Sequence, residues 1–278
     1  MQPSRPPAPG SPRTPDTYTF GDGPTAARRL ALLAEVFDPP TRALLVAWRP
    51  PTVEHALDLG CGPGHTTRLV HETSRAVRTT GLERSAEHVA RARAEAPAGV
   101  DVVQHDVTVA PLPVPPAQLA LARFLLTHLA DPAGALRTWA RALTPGGRLL
   151  AQETARLASA DPTLARYYDL VAQVQAHHGQ ALDVGARLAA LAASVPGTRL
   201  VHAAVLHLRP AVASMAALHA MNVRTWRTDA WAAAHLDARE LDDLTDRLDA
   251  LAAGEPAQGD VALDLAEVVL EREAGPAD

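Results

Sequence analysis

A glycine-rich turn constrains this chain more than any other feature of its 278 residues. The turn has the sequence LDLGCGPGH and covers residues 57–65. The apolar residues 53–59 predict a buried strand that leads into it, and residues 66–77 predict a helix that follows it. Glycine lets the chain turn sharply and lets a ligand approach the backbone, and a helix N-terminus presents free N–H groups. The segment therefore predicts a ligand-binding turn between a strand and a helix.

The spacing of the glycines argues against a dinucleotide ligand. Gly60, Gly62 and Gly64 form G-x-G-x-G, and His65 stands where the dinucleotide fingerprint G-x-G-x-x-G has its last glycine. Asp58, just before the glycines, would repel a pyrophosphate and attract a cation. The pattern therefore opposes a nicotinamide-dependent oxidoreductase and favours a ligand with positive charge.

Strands and helices alternate along most of the chain. The predicted strands cover residues 53–59, 78–83, 100–107, 117–126, 148–152, 199–208 and 261–271. This alternation predicts an α/β fold with a doubly wound, mostly parallel, seven-stranded sheet. We expect the last two strands to close the sheet as an antiparallel edge pair. Two helices, residues 26–36 and 41–48, are expected before the sheet, with a break at Pro39 and Pro40.

The chain divides into a leader and one domain. Residues 1–16 contain six prolines and are expected to be disordered. We expect N-terminal helices in residues 17–52, an α/β core that binds the cofactor in residues 53–153, and the rest of the sheet in residues 154–278. Two mainly helical insertions, residues 154–195 and 210–254, are expected to fold over the carboxyl edge of the sheet as a lid.

Composition excludes several classes of protein. A net charge of −5 offers no basic field for nucleic acid and no membrane anchor. All 26 basic residues are Arg, and the absence of Lys excludes Schiff-base chemistry and a P-loop. The single cysteine, Cys61, cannot form an internal disulfide, and no residues have metal-ligand spacing. We therefore expect a cytoplasmic protein without a bound metal or a membrane span, either monomeric or homodimeric.

Acidic residues end two further predicted strands. Glu83 ends the second strand, and Asp106 lies at the end of the third. With Asp58, they place carboxylates at the ends of three successive strands, on the edge where doubly wound sheets bind ligands. Glu83 is placed to accept hydrogen bonds from ribose hydroxyls, and Asp106 from an adenine amino group.

These motifs together resemble the class I S-adenosylmethionine-dependent methyltransferases. The resemblance rests on LDLGCGPG (57–64), GLERS (81–85), QHDV (104–107), LARFLLTHLADP (121–132) and LTPGGRLL (143–150). The N-terminal segments YTFG (18–21) and AARRL (26–30) are also similar to small-molecule methyltransferases of secondary metabolism. The resemblance implies a Rossmann-like fold and transfer of a methyl group from S-adenosylmethionine to a small molecule, a natural-product intermediate.

The resemblance also implies roles for individual residues. Asp58 and the glycine turn would hold the methionine part of the cofactor, while Arg29 is a candidate for its carboxylate. Arg123 lies where the family lines the methyl-transfer side. The candidate cofactor-binding residues are Tyr18, Arg29, Asp58, Gly60, Cys61, Gly62, Gly64, Glu83, Arg84, His105, Asp106, Val107 and Arg123.

One departure from the family bears on the acceptor. Methyltransferases that act on nucleobase amines carry an Asn/Asp-Pro-Pro-aromatic tetrad after the fourth strand, whereas this chain has Ala-Arg-Phe-Leu at residues 122–125. Nucleobase methylation is therefore opposed. The alternatives left open are a cofactor-binding protein with a cyclase-like or regulatory role, and a methyltransferase that acts on RNA or protein. No motif identifies the acceptor or shows whether O, N or C is methylated.

Three residues are candidates for contact with the acceptor. His128 follows the fourth strand and is the candidate general base. We expect replacement of His128 with alanine to lower the turnover of a hydroxyl or carbon acceptor, and to lower it more at low pH than at high pH. Tyr168 and Trp226 lie in the two insertions and are candidates for the acceptor-binding wall. Each has a structural alternative, since a histidine can pack against the helix that follows and aromatic rings can fill the core.

Overall fold

The computed structural model describes residues 24–274, so the predicted leader and Tyr18 lie outside the described residues. The strands are β1 (His55–Leu59), β2 (Arg78–Glu83), β3 (Val100–Gln104), β4 (Ala117–Arg123), β5 (Leu143–Ser159), β6 (Thr198–Leu208) and β7 (Val261–Arg272). The helices are α1 (Pro24–Trp48), α2 (His65–Ser74), α3 (Ala86–Ala94), α4 (Pro132–Arg141), α5 (Pro162–His177), α6 (Leu188–Ala193), α7 (Val212–Trp226), α8 (Ala230–His235) and α9 (Ala238–Ala252). Two 3-10 turns are Leu126–His128 and Val184–Arg187.

The strands form one seven-stranded sheet in the order β3-β2-β1-β4-β5-β7-β6. The first five strands are parallel, and β7 pairs antiparallel with both β5 and β6. The predicted doubly wound sheet with an antiparallel edge pair is therefore confirmed. The strand order reverses between β1 and β4, and ligands bind in the crevice that such a reversal opens.

β5 is much longer than the strand predicted at residues 148–152. It pairs with β7 from Arg148, opposite Glu271, to Ser159, opposite Val261. The apolar run of residues 149–151 ends at Gln152, and polar residues follow it, so the sequence pattern ends before the strand does. The long β5–β7 pair extends past the carboxyl edge of the parallel strands and supports the helices that lie there.

The break predicted at Pro39 and Pro40 is wrong, because α1 runs through both prolines as one helix. A proline inside a helix costs about 3 kcal/mol, since it removes an N–H donor and crowds the preceding turn. Packing on both sides holds the helix together: Phe37 is buried among the helices beyond the sheet, and Leu45 is buried against the sheet. The Thr41 hydroxyl also donates to the carbonyl of Phe37 at 2.8 Å.

Apart from α3, which packs against β2 and β3, the helices divide into three groups. The C-terminal half of α1 packs with α2 on one face of the sheet, and α4 packs with α6 on the other. The N-terminal half of α1 joins α5, α7, α8 and α9 in a separate apolar cluster, which we call the helical cover. The insertion at residues 154–195 is therefore divided, because α5 enters the cover while α6 packs on the sheet.

Within residues 24–274, no helix is both long and apolar enough to cross a membrane.

Candidate functional site

A pocket of about 630 Å³ lies between the carboxyl edge of the sheet and the helical cover. Its floor comes from the segments that follow β1, β2, β3 and β4, and its cover side comes from α1, α5, α7 and the long β5–β7 pair. Sites for small molecules have volumes of about 300–1,000 Å³. The pocket therefore has room for a small-molecule ligand at the edge where the sequence placed its acidic residues.

The structure brings most of the predicted site residues to this pocket. Those on its lining are Arg29, Gly60, Gly62, Glu83, Arg84, His105, Asp106, Val107, Arg123 and His128. Three others, Asp58, Cys61 and Gly64, belong to the glycine turn but are not on the lining.

The glycine turn needs glycine for two separate reasons. Gly60, Gly62 and Gly64 have φ angles of +69°, +52° and +92°, which side chains with a Cβ rarely adopt. A Cβ on Gly60 would also lie 2.8 Å from the Leu125 side chain, which is too close. A Cβ on Gly62 would lie 3.4 Å from Cδ1 of Leu30, which belongs to α1. The turn is thus enclosed between the segment after β4 and the first helix.

Glu83 connects two of the turns that form the floor. One carboxylate oxygen accepts from the Gly62 N–H at 3.0 Å, and the other accepts from the Ser85 N–H at 2.7 Å. Asp106, on the next segment, accepts from the N–H and the hydroxyl of Thr108 at 2.9 and 2.7 Å. The Trp139 indole donates to the carbonyl of Val107 at 2.9 Å and anchors that segment to α4.

Asp58 is a buried carboxyl group beneath the floor. It is 1% exposed and accepts a hydrogen bond from the Thr67 hydroxyl at 2.8 Å. The pKa of Asp58 is raised to about 7, mainly by burial. The Thr67 hydrogen bond and the Arg123 guanidinium oppose this increase, and the nearby carboxylates of Glu83 and Asp38 contribute to it. A ligand with positive charge would stabilise the ionised form of this group.

Cys61 is buried against Val89, Ala92 and Val102, away from the pocket lining. Burial raises the pKa of its thiol well above the usual value, so the group stays neutral. The structure assigns this side chain a packing position, and the part of Cys61 available to a ligand is its backbone. Among residues 24–274, no cluster of His, Cys, Asp and Glu could hold a metal ion.

Arg123 connects the end of β4 to two helices. Its guanidinium donates to Asp38 at 2.8 Å and to Thr41 at 3.1 Å on α1, and to Thr66 at 3.0 Å on α2. Its side chain is 5% exposed, so these charge-assisted hydrogen bonds are shielded from water. Arg123 therefore holds α1 in place over the glycine turn.

The segment after β4 has a strained backbone that sequence reasoning missed. Phe124 has a φ angle of +52°, which is an outlier for an aromatic residue, and its ring lies edge-on to Phe37 with centroids 4.7 Å apart. The buried carboxyl group of Glu153 accepts from the N–H groups of Leu125 and Leu126 at 2.7 and 2.6 Å. An acidic residue just after the apolar run of residues 149–151 was the signal that could have identified Glu153.

His128 lines the pocket from the 3-10 turn that follows. Burial, together with the Arg29 guanidinium nearby, lowers the pKa of His128 to about 3. The imidazole is therefore neutral at any ordinary pH. The sequence predicted that replacing His128 with alanine would lower turnover more at low pH than at high pH. This environment conflicts with that prediction, because an imidazole with a pKa of about 3 does not change its charge near neutral pH.

Tyr168 and Trp226, the two aromatic residues predicted to contact the acceptor, are not on the pocket lining. Both are buried in the apolar cluster of the helical cover, at 7% and 1% exposure. Adjacent helical residues point about 100° apart, so Tyr167 reaches the pocket while Tyr168 packs behind it. Trp226 lies one turn beyond Asn222, the last residue of α7 on the lining.

Three helical stripes form the cover side. The stripe on α1 has Leu30, Leu33 and Phe37, that on α5 has Tyr167, Val171 and Gln175, and that on α7 has Met215, Leu218, His219 and Asn222. Spacings of three and four residues are what one helix face presents. The periodicity was visible in the sequence, but it does not show which face of a helix turns toward a pocket.

The family model described as methyltransferase domain matches residues 57–151, from β1 into β5. A curated relative, trans-aconitate 2-methyltransferase from Acidovorax sp. (strain JS42), is 31% identical over 185 residues, 62% of this chain and 69% of its own length. The match covers much less of other curated relatives, such as 18% of the length of trans-aconitate 2-methyltransferase from Shigella flexneri serotype 5b (strain 8401).

Two solved structures share the fold at lower identity. The cyclase SpnF is similar with a TM-score of 0.52 and 18% identity, over 85% of this chain and 82% of its own. Phosphoethanolamine N-methyltransferase 2 from Haemonchus contortus, in complex with phosphomonomethylethanolamine and S-adenosylhomocysteine, has a TM-score of 0.52 and 15% identity. That similarity covers 89% of this chain and 53% of the other.

The identity to the Acidovorax enzyme extends over more than two thirds of that protein, and the family match begins at the glycine turn that forms the pocket floor. By this evidence the chain belongs to the class I S-adenosylmethionine-dependent methyltransferases, and S-adenosylmethionine is its cofactor.

Proposed function

We propose that this protein transfers the methyl group of S-adenosylmethionine to a small-molecule acceptor, an intermediate of natural-product synthesis, bound between the glycine turn and the helical cover. The observation that carries the proposal is the composition of the pocket. Charged and polar groups of the family's cofactor motifs form its floor, and mainly apolar side chains of three helices form the opposite side. This arrangement supports two ligands that meet inside one cavity.

The residues of the floor fit the cofactor. The sulfonium and amino groups are cationic, and the carboxyl groups of Asp58, Glu83 and Asp38 concentrate negative charge around the glycine turn. In this proposal the glycine turn and Asp58 hold the methionine part, and Glu83 binds the ribose. Asp106 binds the adenine, with Arg84, His105 and Val107 beside it, and Arg29 pairs with the cofactor carboxylate.

The chain's own contribution to the reaction is mainly placement. When bound, the cofactor supplies a methyl group on a positively charged sulfur, which is already activated for displacement. The helical cover excludes water and orients the acceptor for in-line attack, and Arg123 fixes α1, which forms part of that cover. His128 remains the candidate base, as a neutral imidazole at the boundary of floor and cover.

The names of the relatives suggest a first acceptor to test. Trans-aconitate is the acceptor in the name of the Acidovorax enzyme, and a small acid is compatible with a pocket of about 630 Å³. We regard it as one member of an acceptor panel, because the chain aligns with only part of that enzyme.

A screen with methyl-labelled cofactor tests the proposal. The purified protein is incubated with small organic acids, phenols, alcohols and amines, and with total RNA and a protein extract as separate samples. We expect label in a small-molecule product and an equal amount of S-adenosylhomocysteine, both measured by mass spectrometry. Label in RNA or protein would contradict the small-molecule acceptor. Cofactor binding without any S-adenosylhomocysteine would instead support the cyclase-like or regulatory role.

A further inference from the structure

The cover side of the pocket carries little charge. Among the described lining residues of α1, α5 and α7, Arg29 is the one with a formal charge. It is 5% exposed, and its electric field reaches both His128 and Tyr167, which places it at the boundary of floor and cover. Buried carboxylates need paired cations. An acceptor with several carboxylates would find too few cationic side chains on the cover side.

His219 is the most exceptional polar group on the cover side. It is 3% exposed and lies on α7 within the lining stripe. Its ring stacks on Tyr167 with centroids 4.0 Å apart and a 20° interplanar angle, and Tyr168 meets it edge-on at 5.3 Å. The two tyrosines therefore hold the imidazole plane from two directions.

Both ring nitrogens of His219 lack a hydrogen-bond partner among residues 24–274. Burial lowers the pKa of the ring to about 3, so it is neutral and offers one donor and one acceptor. A buried polar group without a partner destabilises the folded protein, because it has given up its hydrogen bonds to water. A ligand group that pairs with the imidazole would offset that cost on binding.

Two more neutral groups lie nearby on the lining. Asn222 is three residues after His219 on the same helix face, and its side-chain amide donates to the Tyr167 hydroxyl at 2.7 Å. Asn222 Oδ1 has no partner in the described part of the chain, and the same holds for Oε1 of Gln175, which is 1% exposed. We call Gln175, His219 and Asn222 the neutral polar set.

We propose that the acceptor is an uncharged, largely apolar molecule whose hydroxyl group exchanges hydrogen bonds with the neutral polar set, with His219 as the main contact. The inference rests on the proposed methyl transfer and narrows its acceptor class. Leu33, Val171 and Leu218 lie on the same three stripes and match an apolar body, while the neutral donors and acceptors match one protic group without a charge.

Four probe compounds separate these features. 2-Naphthol has an apolar body and a neutral hydroxyl, 2-methoxynaphthalene lacks the proton, 2-naphthoate adds a negative charge, and trans-aconitate is a small polycarboxylate. Binding to the protein saturated with S-adenosylhomocysteine is measured by calorimetry. We expect 2-naphthol to bind about tenfold more tightly than each of the other three compounds. 2-Methoxynaphthalene has no proton to donate in a buried hydrogen bond, and the two carboxylate compounds would bring negative charge into the pocket.

His219→Phe tests the contact without removing the ring that stacks on Tyr167. We expect about tenfold weaker binding of 2-naphthol, unchanged binding of 2-methoxynaphthalene and unchanged affinity for S-adenosylhomocysteine. His219→Gln keeps a donor and an acceptor and should restore part of the loss. His177→Phe is the matched control, because His177 is an exposed residue of α5 outside the lining, and it should change none of these affinities.

Tighter binding of 2-naphthoate or trans-aconitate than of 2-naphthol would overturn the inference. Full 2-naphthol affinity in a folded His219→Phe variant would do the same, as would no binding of 2-naphthol at millimolar concentration. Methyl transfer to trans-aconitate would refute the acceptor class but leave the proposed methyl transfer standing. His219-dependent binding of 2-naphthol, with no labelled product from any acceptor in the screen, would support the contact of an uncharged hydroxyl compound with His219 but contradict the proposed methyl transfer.

Discussion

Negative charge around the glycine turn is the main electrostatic feature at the scale of single residues. Asp58 is buried beneath the turn, Glu83 bonds to the turn's backbone, and Asp38 approaches from α1. Arg123 neutralises part of this charge through Asp38. The remaining field suits a cationic ligand, and two predictions follow at this scale.

The first prediction concerns Glu83. Replacing it with alanine should weaken binding of S-adenosylhomocysteine by about 1–3 kcal/mol, roughly 5- to 150-fold, because hydrogen bonds to a charged group are lost. Isothermal titration calorimetry measures the change. Glu87→Ala is the control, since Glu87 is exposed on α3 and pairs with Arg91. Equal affinities in wild type and Glu83→Ala would remove Glu83 from the cofactor site.

The second prediction concerns pH and Asp58, whose pKa is raised to about 7. Below that pH the carboxyl group carries a proton that must leave before it can pair with a cation. Affinity for S-adenosylmethionine should therefore rise by up to about tenfold per pH unit as the pH increases toward 7, and then level off. Titrations across this range measure the slope. Asp58→Asn should bind weakly with a flatter profile, and an equally steep profile in this variant would assign the titration to another group.

At the scale of elements, the segment between β4 and α4 depends on a partner from β5. Glu153 is fully buried and accepts from the N–H groups of Leu125 and Leu126, next to the strained Phe124. Burial raises the pKa of Glu153 to about 8, so the group is mostly protonated at neutral pH. This carboxyl group thus replaces the hydrogen bonds that a regular strand or helix would have supplied.

A stability measurement can detect that proton. The pKa of Glu153 is about 8 in the folded protein, against 4.5 for an ordinary glutamate. Between these two pH values the folded state keeps a proton that the unfolded chain has lost. The free energy of unfolding should therefore fall as the pH rises from about 4.5 to 8, by up to about 1.4 kcal/mol per unit from this group. Urea unfolding at several pH values measures it.

Two substitutions isolate the contribution of Glu153. Glu153→Gln keeps the accepting oxygen and removes the ionisation, so its stability relative to wild type should increase with pH. Glu153→Ala leaves two buried N–H groups unpaired and should be less stable than wild type by about 2–6 kcal/mol at low pH. That difference should shrink as the pH rises, because this variant also lacks the ionisation of Glu153. If the free energy of unfolding of wild type and of Glu153→Gln changed with pH in parallel, Glu153 would have the same pKa in the folded and unfolded states.

At the scale of the whole molecule, β7 couples the helical cover to the sheet. Leu263 and Leu265 pack in the cover cluster, while Ala266 and Val268 pack in the cluster of the sheet with α4 and α6. One continuous strand therefore belongs to both cores. A strand cannot lose its hydrogen bonds in one core without weakening the pairing in the other, which favours a single cooperative transition.

Single-tryptophan variants test this coupling. Trp139 is buried in the sheet cluster and Trp226 in the cover cluster, so proteins that retain one or the other report on separate cores. In each variant we expect the fluorescence midpoint in urea to equal the midpoint from far-ultraviolet circular dichroism, which reports on the whole molecule. Addition of S-adenosylhomocysteine at about 100 times its Kd should stabilise both by about 2.7 kcal/mol. A lower midpoint for the Trp226 signal, unaffected by ligand, would show that the cover unfolds independently.

The sequence by itself determined the order of strands and helices, the glycine turn, and the edge of the sheet where Asp58, Glu83 and Asp106 lie. These features follow from local signals: the apolar period of a strand, the backbone freedom of glycine, and the rule that the carboxyl ends of parallel strands meet at one edge.

Only the tertiary structure decided that α1 continues through Pro39 and Pro40, and that Tyr167 and His219 line the pocket while Tyr168 and Trp226 do not. These outcomes depend on contacts between residues far apart in the chain, such as the ion pair of Asp38 with Arg123 and the stack of Tyr167 on His219. Periodicity defines a helix but not its rotation about its own axis. That rotation is set by which neighbouring surface buries the most apolar area.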